Sequence, residues 1–270
     1  LFKGSAFQSQ GGIMGIIQTV GTGGKNGASD VRVLQLLFNM AGSEPGLAVD
    51  GQWGPACATA LASWRQRLGD GDNSPQVKPG DPLLEALRRA LPGELAGHKL
   101  WAIMADASAG DVERFHLPLL AMFPRYGIDT PVRAAHFLAQ IAHESGCLRY
   151  SEELASGAAY EGRKDLGNLE QGDGPRFKGR GLIQLTGRAN YRQYGQACQR
   201  DFENADDPGL VASDPALAVD VAGWFWATRK LNELADRDDL HGITRRVNGG
   251  LNGLEKRAAY LARAKWLLGL

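Results

Sequence analysis

Three stretches of this chain carry side chains that could do acid–base chemistry together. They are Glu144 in AHESG, Glu153 in RYSEEL, and the polar run in FKGRGLIQLTGRANY, residues 177–191. Paired carboxyl groups can break a glycosidic bond: one protonates the leaving oxygen, and the other attacks the sugar or activates a water on its far face. Unlike surroundings decide which of the two keeps its proton. Glu144 suits the acid. It falls in the last turn of an expected helix, where unpaired carbonyls and an apolar stripe both disfavour a carboxylate. A protonated His143 beside it would act the other way, and an ordinary exposed helix-end glutamate is the competing reading. Glu153 follows nine residues later, beyond Gly146, which gives the chain room to turn back. Glu152 and Glu161 compete with it as the base.

The third stretch alternates permissive and hydrogen-bonding residues. Gly179, Gly181 and Gly187 allow close backbone approach, and Gln184, Thr186, Asn190 and Tyr191 offer amides and hydroxyls. Such groups match N-acetyl sugars, which carry the same functions. Leu182, Ile183 and Leu185 are expected to face inward. In the alternative reading Thr186 merely caps the next helix.

These residues need a helical frame to position them. TPVRAAHFLAQIAHESG has a cap at Thr130, proline at the first helical position, a stripe of Val132, Ala135, Leu138, Ala139 and Ala142, and a terminator at Gly146. A second helix should start at Asp214-Pro215 and carry Trp224, Phe225 and Trp226, read mainly as core, with a sugar platform as the alternative. A last helix covers about 254–268. Earlier in the chain, Ser29 or Asp30 offers a cap for a helix through Val31, Leu34 and Phe38. LAVDGQWGP is turn chemistry, a second helix carries Leu61 and Trp64, and PLLEALRRAL forms a third. No sustained alternation appears, so strand content should be minor. The fold class expected is mainly α: a small three-helix domain at 16–93, then a larger helical catalytic domain at 95–270, after a flexible segment at 1–15 that could be a tag.

Thirty basic residues balance thirty acidic ones, with about 8 of each before residue 95. Neither part is a basic body, which argues against nucleic acid as a partner. No apolar run is long enough for a membrane span, and no secretory signal is visible. Cys57, Cys147 and Cys198 lack disulfide or metal spacing and read as free thiols of a reducing compartment. The five histidines form no HExxH, so no metal and no other cofactor is expected.

The order HESG, a second glutamate nine residues on, GRGLIQLTGRANY and VNGG resembles glycoside hydrolase family 19, over roughly residues 115–268. That family holds chitinases and many lysozyme-type phage endolysins. The resemblance implies a lysozyme-like helical fold and an inverting mechanism. It makes Glu144 the acid, Glu153 the base and Thr186 a holder of the attacking water. It puts Gln184, Asn190, Tyr191 and Asn248 in the substrate cleft, with Arg257 a supporting basic residue. YEGRKDLGN followed by GDGPRFKGRG is closer to the phage lytic branch, and the plant cysteine framework is missing. Residues 17–91, through DVRVLQLLFN, GLAVDGQWGP and TALASWRQ, resemble a small peptidoglycan-binding module, with Asp50, Gly51 and Trp53 on its recognition turn. Those three could equally be a fold-defining turn.

The combined expectation is a monomeric endolysin of muramidase type acting on peptidoglycan glycan strands. It would be held in the host cytoplasm until a separate membrane pore releases it to the wall. A chitinase or glucosaminidase is the nearest alternative. A zinc peptidase or amidase, or a non-catalytic wall-binding protein, is more remote.

Overall fold

The computed structural model describes residues 15–69 and 71–270. The segment expected to be flexible lies, apart from Gly15, outside the described residues. The chain divides into two compact units, residues 1–105 with 265–269, and residues 106–264 with 270. Both are mainly helical.

In the first unit, β1 (Val20–Gly21) pairs antiparallel with β2 (Gln76–Val77). Around this ribbon lie α1 (Ala28–Met40), α2 (Pro55–Leu68), α3 (Pro82–Arg89) and α4 (Gly97–Ile103). The sequence placed its domain break before α4, whereas α4 packs on α1 inside this unit. Val31, Leu34, Phe38, Leu61, Leu84 and Leu87 are buried here. Arg65 on α2 is buried too, and its guanidinium spans Asp81, the cap of α3, at 2.6 Å and the Gln76 carbonyl at 2.9 Å. The expected cap of α1 is not formed. Gly27 holds that position without a side-chain bond. The Asp30 carboxylate instead accepts the Ile17 and Gln18 amides at 3.0 and 2.8 Å, so a long-range contact took the group that a local cap would have used.

The second unit holds α5 (Ala109–Arg125), α6 (Pro131–Glu144), α7 (Asp173–Arg176), α8 (Arg188–Cys198), α9 (Leu210–Ser213), α10 (Pro215–Thr228), α11 (Leu231–Ala235) and α12 (Leu240–Asn248). The last helix, α13 (Leu254–Leu267), begins in this unit. Two caps form as the sequence indicates: Thr130 Oγ1 accepts from the Arg133 amide at 3.3 Å, and Asp214 accepts from the Ala216 amide at 2.8 Å. α5 and α10 pack tightly because Gly223 removes a side chain; a Cβ there would lie 2.4 Å from Met122 Sδ. Phe137 of α6 meets Phe123 and Trp226 edge-on at 5.8 and 5.3 Å, which locks α6 against both helices. Among the described residues no helix is long and apolar enough to cross a membrane, and the three cysteines are free.

Candidate active site

α6 ends in a sharp reversal. Gly146, Cys147 and Leu148 all have positive φ, at 58°, 58° and 68°. Ser145 secures the bend: its hydroxyl donates to the Ile141 carbonyl at 2.7 Å and accepts the Leu148 amide at 2.8 Å. The returning strand-like segment then pairs with the glycine-rich stretch. The Gly181 amide donates to Ser151 O at 2.8 Å, and the Glu153 amide to Gly179 O at 2.9 Å. Arg180 in turn bridges antiparallel to Leu185. The two distant sequence motifs are thus stitched together backbone to backbone.

This pairing fixes Glu153. Its Oε1 accepts the Tyr160 hydroxyl at 3.0 Å and its Oε2 the Gly179 amide at 3.2 Å. A Cβ on Gly179 would stand 2.9 Å from Gln184 Oε1, 3.2 Å from Glu153 Oε2 and 3.3 Å from Thr186 Oγ1. Three of the residues singled out in the sequence therefore converge over one bare backbone position. The Thr186 hydroxyl is not a helix cap. It donates to the Gln184 carbonyl at 3.0 Å, and Gly187 occupies the cap position of α8. Burial first, and then the bond to Glu153, raise the Tyr160 phenol above its usual range, so it stays a donor at neutral pH.

The rival carboxylates are otherwise engaged. Glu152 pairs with Arg180 at 3.0 Å and Lys178 at 3.4 Å. Glu161 accepts the Gly172 and Gly174 amides at 2.7 and 2.8 Å, holding the N-terminus of α7.

Glu144 lies against the Arg257 guanidinium of α13, which is buried and also donates to Gln140 Oε1. The sequence argument counted the helix end but not this cation, whose field has the opposite sign. Burial first, and then Arg257, lower the pKa of His143, so it is neutral at neutral pH and adds no positive charge beside Glu144. Asn248 does not line the pocket next to Gln184. Its amide donates to Asn252 O at 3.0 Å, and Arg257 Nε reaches the same oxygen at 3.5 Å, so it braces the loop under Arg257.

A pocket of about 160 Å³ is bounded by Gln184, Thr186 and Asn190 on one side and by Trp224, Phe225 and Arg229 on another. Asn190 donates to Thr186 O at 2.7 Å. Tyr191, expected in the cleft, is instead fully buried among Phe177, Tyr194 and Phe202. Its aromatic ring completes that core, while its hydroxyl supports Lys178 O at 2.9 Å. Trp226 is core, as read, and its indole donates to Asn232 Oδ1 at 2.7 Å. Trp224 and Phe225 also wall the pocket, so the cluster is not packing alone. In the first unit, Asp50 and Gly51 serve their turn: Gln35 donates to Asp50 Oδ1 at 2.8 Å and accepts the Gly51 amide at 3.0 Å. Trp53 is half-buried.

Sequence reasoning missed Tyr160 and Gln140. Gln140 had a signal, since it stands one helical turn before Glu144 on the same face. Tyr160 had only its place in the quoted YEGR run.

The family model described as chitinase class I, glycoside hydrolase family 19, matches residues 130–242, which contain both glutamates and the glycine-rich stretch. A glycosyl hydrolase family 19 domain-containing protein of Haemophilus influenzae is 32% identical over 177 residues, covering 54% of this chain and 85% of that protein. The chain belongs to glycoside hydrolase family 19. As a member of that family it is a glycosidase, and its mainly helical architecture agrees with the family 19 fold. The acidic 27 kDa endochitinase of Solanum lycopersicum is 38% identical over 110 residues, 40% of this chain and 41% of that enzyme. The chain thus spans about two fifths of the length of the tomato relative. Among solved structures, chitinase C from Streptomyces griseus aligns with a TM-score of 0.52 at 23% identity, over 65% of this chain and 76% of that one. The class IV chitinase of Zea mays aligns with a TM-score of 0.53 at 22% identity, over 64% and 92%. Both report the fold.

Proposed function

We propose that this family 19 glycosidase hydrolyses β-1,4 bonds in peptidoglycan glycan strands by an inverting two-glutamate mechanism. The observation that carries the proposal is the tethered carboxylate of Glu153, gripped by Tyr160 and the Gly179 amide, with Thr186 and Gln184 gathered over the same glycine. A general base needs a fixed orientation and a neighbour to share the attacking water. Thr186 supplies a hydroxyl for that water. Glu144, on the Arg257 and Gln140 bracket, acts as the acid that protonates the departing oxygen. Water adds to the anomeric carbon while the bond to the leaving sugar breaks; Glu153 takes the water's proton and Glu144 gives up its own, so the hydrolysis balances. Gln184 and Asn190 hydrogen-bond sugar substituents, and Arg257 and Asn248 brace the acid. Tyr191 supports them from the core.

The muramidase reading draws on the similarity of the first unit to wall-binding modules. Such a module would hold the catalytic unit near its polymer and raise the local substrate concentration without aiding the chemistry. The role that follows is an endolysin: monomeric, without nucleic-acid or membrane partners, synthesised in a bacterial cytoplasm and released to the wall through a separate pore. The endochitinase names of several relatives favour a second reading, chitin as substrate.

Digestion of purified sacculi decides between them. Borohydride-reduced products carrying muramitol at the new reducing end support the first reading. Reduced glucosaminitol ends, or cleavage of chitin oligomers alone, would reverse the order. Glu144→Gln should cut turnover by about 10²–10⁴. Full activity in a folded Glu144→Gln protein would remove Glu144 as the acid.

A further inference from the structure

Gln140 is fully buried on α6, one helical turn before Glu144, and only half of its amide is used. Its Oε1 accepts from Arg257, whose guanidinium also donates to Glu144 Oε1. Arginine carries donors alone, so the amide must turn its oxygen toward it. The Gln140 NH₂ is then left buried, and among the described residues nothing accepts from it. Orphaned buried donors are costly and rare. A glutamate at this position would accept the same N–H in a stronger, charge-assisted bond and leave no orphan. Arg188 of the same unit shows that arrangement, with Glu170, Asp173 and Glu203 all around it. Arg257 is the more deeply buried cation, 1% exposed, yet among the described residues it pairs with a single carboxylate, Glu144. Its other acceptors are neutral: the Gln140 oxygen and the Asn252 carbonyl at 3.5 Å.

We infer that Gln140 is a positioning residue that seats Arg257 with a neutral acceptor, and so leaves the guanidinium charge undivided for the carboxylate that forms as Glu144 gives up its proton. The inference rests on Glu144 as the acid and holds for either polymer. As the proton moves to the leaving oxygen, negative charge grows on Glu144, and a cation already fixed against it stabilises that charge without rearranging. A second carboxylate on Arg257 would split the field and make Glu144 a weaker acid. The other charged or titratable groups near this contact leave the field in place. His143 on α6 is neutral at neutral pH, and Lys256 on α13 adds positive charge. One turn further along α13, Tyr260 and Arg263 lie near Cys147 and Asp106.

The test compares the full-length wild-type, Gln140→Glu and Gln140→Met proteins by pH–rate profile on whichever polymer the wild type cuts, and by carbon-13 titration of the Glu144 carboxyl, assigned by its absence in Glu144→Gln. Gln140→Glu keeps the acceptor and adds a charge. It should move the alkaline limb of kcat/KM, and the Glu144 titration, up by about one pH unit, and lower kcat about three- to tenfold with KM little changed. Gln140→Met is neutral and lacks the acceptor. It should lose a similar factor in kcat with the limb unmoved, because Arg257 is loosened while no charge is added. A folded Gln140→Glu protein with neither midpoint shifted, or an equal shift in Gln140→Met, would overturn the inference. If Gln140→Glu does not fold, Gln140→Met decides: unchanged kcat rejects a positioning role, and the stated loss at constant KM upholds it. If Glu144→Gln keeps full activity, it is the acid assignment that fails. The carboxyl titration then judges the field of Arg257 by itself, upheld by the upward shift in Gln140→Glu and rejected by its absence.

Discussion

Glu153 and Glu161 are both held by backbone amides, yet replacing each with glutamine should have opposite effects. Glu161 spends both oxygens on the Gly172 and Gly174 amides, at 2.7 and 2.8 Å. Glutamine keeps one acceptor and turns an NH₂ toward the other amide, so one bond to an ionised acceptor is lost. A bond of that type is worth about 1.5–3 kcal/mol, and the exposure of Glu161 lets water recover part of it, leaving a cost of about 1–1.5 kcal/mol. In a unit of this size that lowers Tm by about 2–6 °C. Turnover should stay within about twofold, since Glu161 acts only through loop shape. Glu153→Gln should do the reverse: little change in Tm, and a loss of about 10²–10⁴ in kcat as the base disappears. Thermal melts and initial rates on reduced-end-labelled glycan strands, run on both variants side by side, measure the two effects. If folded Glu161→Gln lost turnover while Glu153→Gln kept it, the choice of base would be wrong.

Tyr160→Phe removes the hydroxyl on Glu153 Oε1; the half-buried site places the loss near the low end for a charged acceptor, about 1.5 kcal/mol or tenfold in kcat with KM little changed, as steady-state kinetics will show. Gly179→Ala would drive a methyl within 3.3 Å of Gln184, Glu153 and Thr186 together, so activity should fall more steeply than Tm when both are measured on one preparation. His143 has a depressed pKa, so below about pH 6.5 the unfolded chain binds the proton first; its contribution to stability is present above that pH and lost as pH falls toward the folded value. Tm measured from pH 7 down to 5 should therefore decline less in His143→Phe than in the wild type, and identical slopes would discard the account.

The sequence displayed the frame of this site better than its contacts. Thr130-Pro131 and Asp214-Pro215 were readable because a cap is settled within three residues. The cap assigned to Ser29 or Asp30 failed because residues 17 and 18, far along the chain, claim the carboxylate first. Tyr191 was misplaced since a tyrosine in a polar run can turn either face to solvent, and here the ring completes the core around Phe177 and Phe202. Glu153, Glu152 and Glu161 look alike in sequence. Bonds to Gly179, Arg180 and Gly172 separate them, and no local pattern encodes such pairings. Arg257 belongs to the same class, meeting Glu144 across 113 positions.

The reversal after Glu144 also constrains how this enzyme can change length. Two of its three left-handed residues, Cys147 and Leu148, carry a Cβ, and each holds of order 1–3 kcal/mol of torsional strain. The backbone then has only Arg149 and Tyr150 before Ser151 is already paired with Gly181. There is no slack in which to absorb an inserted or deleted residue: shifting the register by one would turn the Glu153 side chain to the other side of the pairing. Natural variation in size around this active centre should therefore accumulate between 154 and 176. The short arm joining its two carboxylates should remain fixed in length, however freely its surface residues are exchanged.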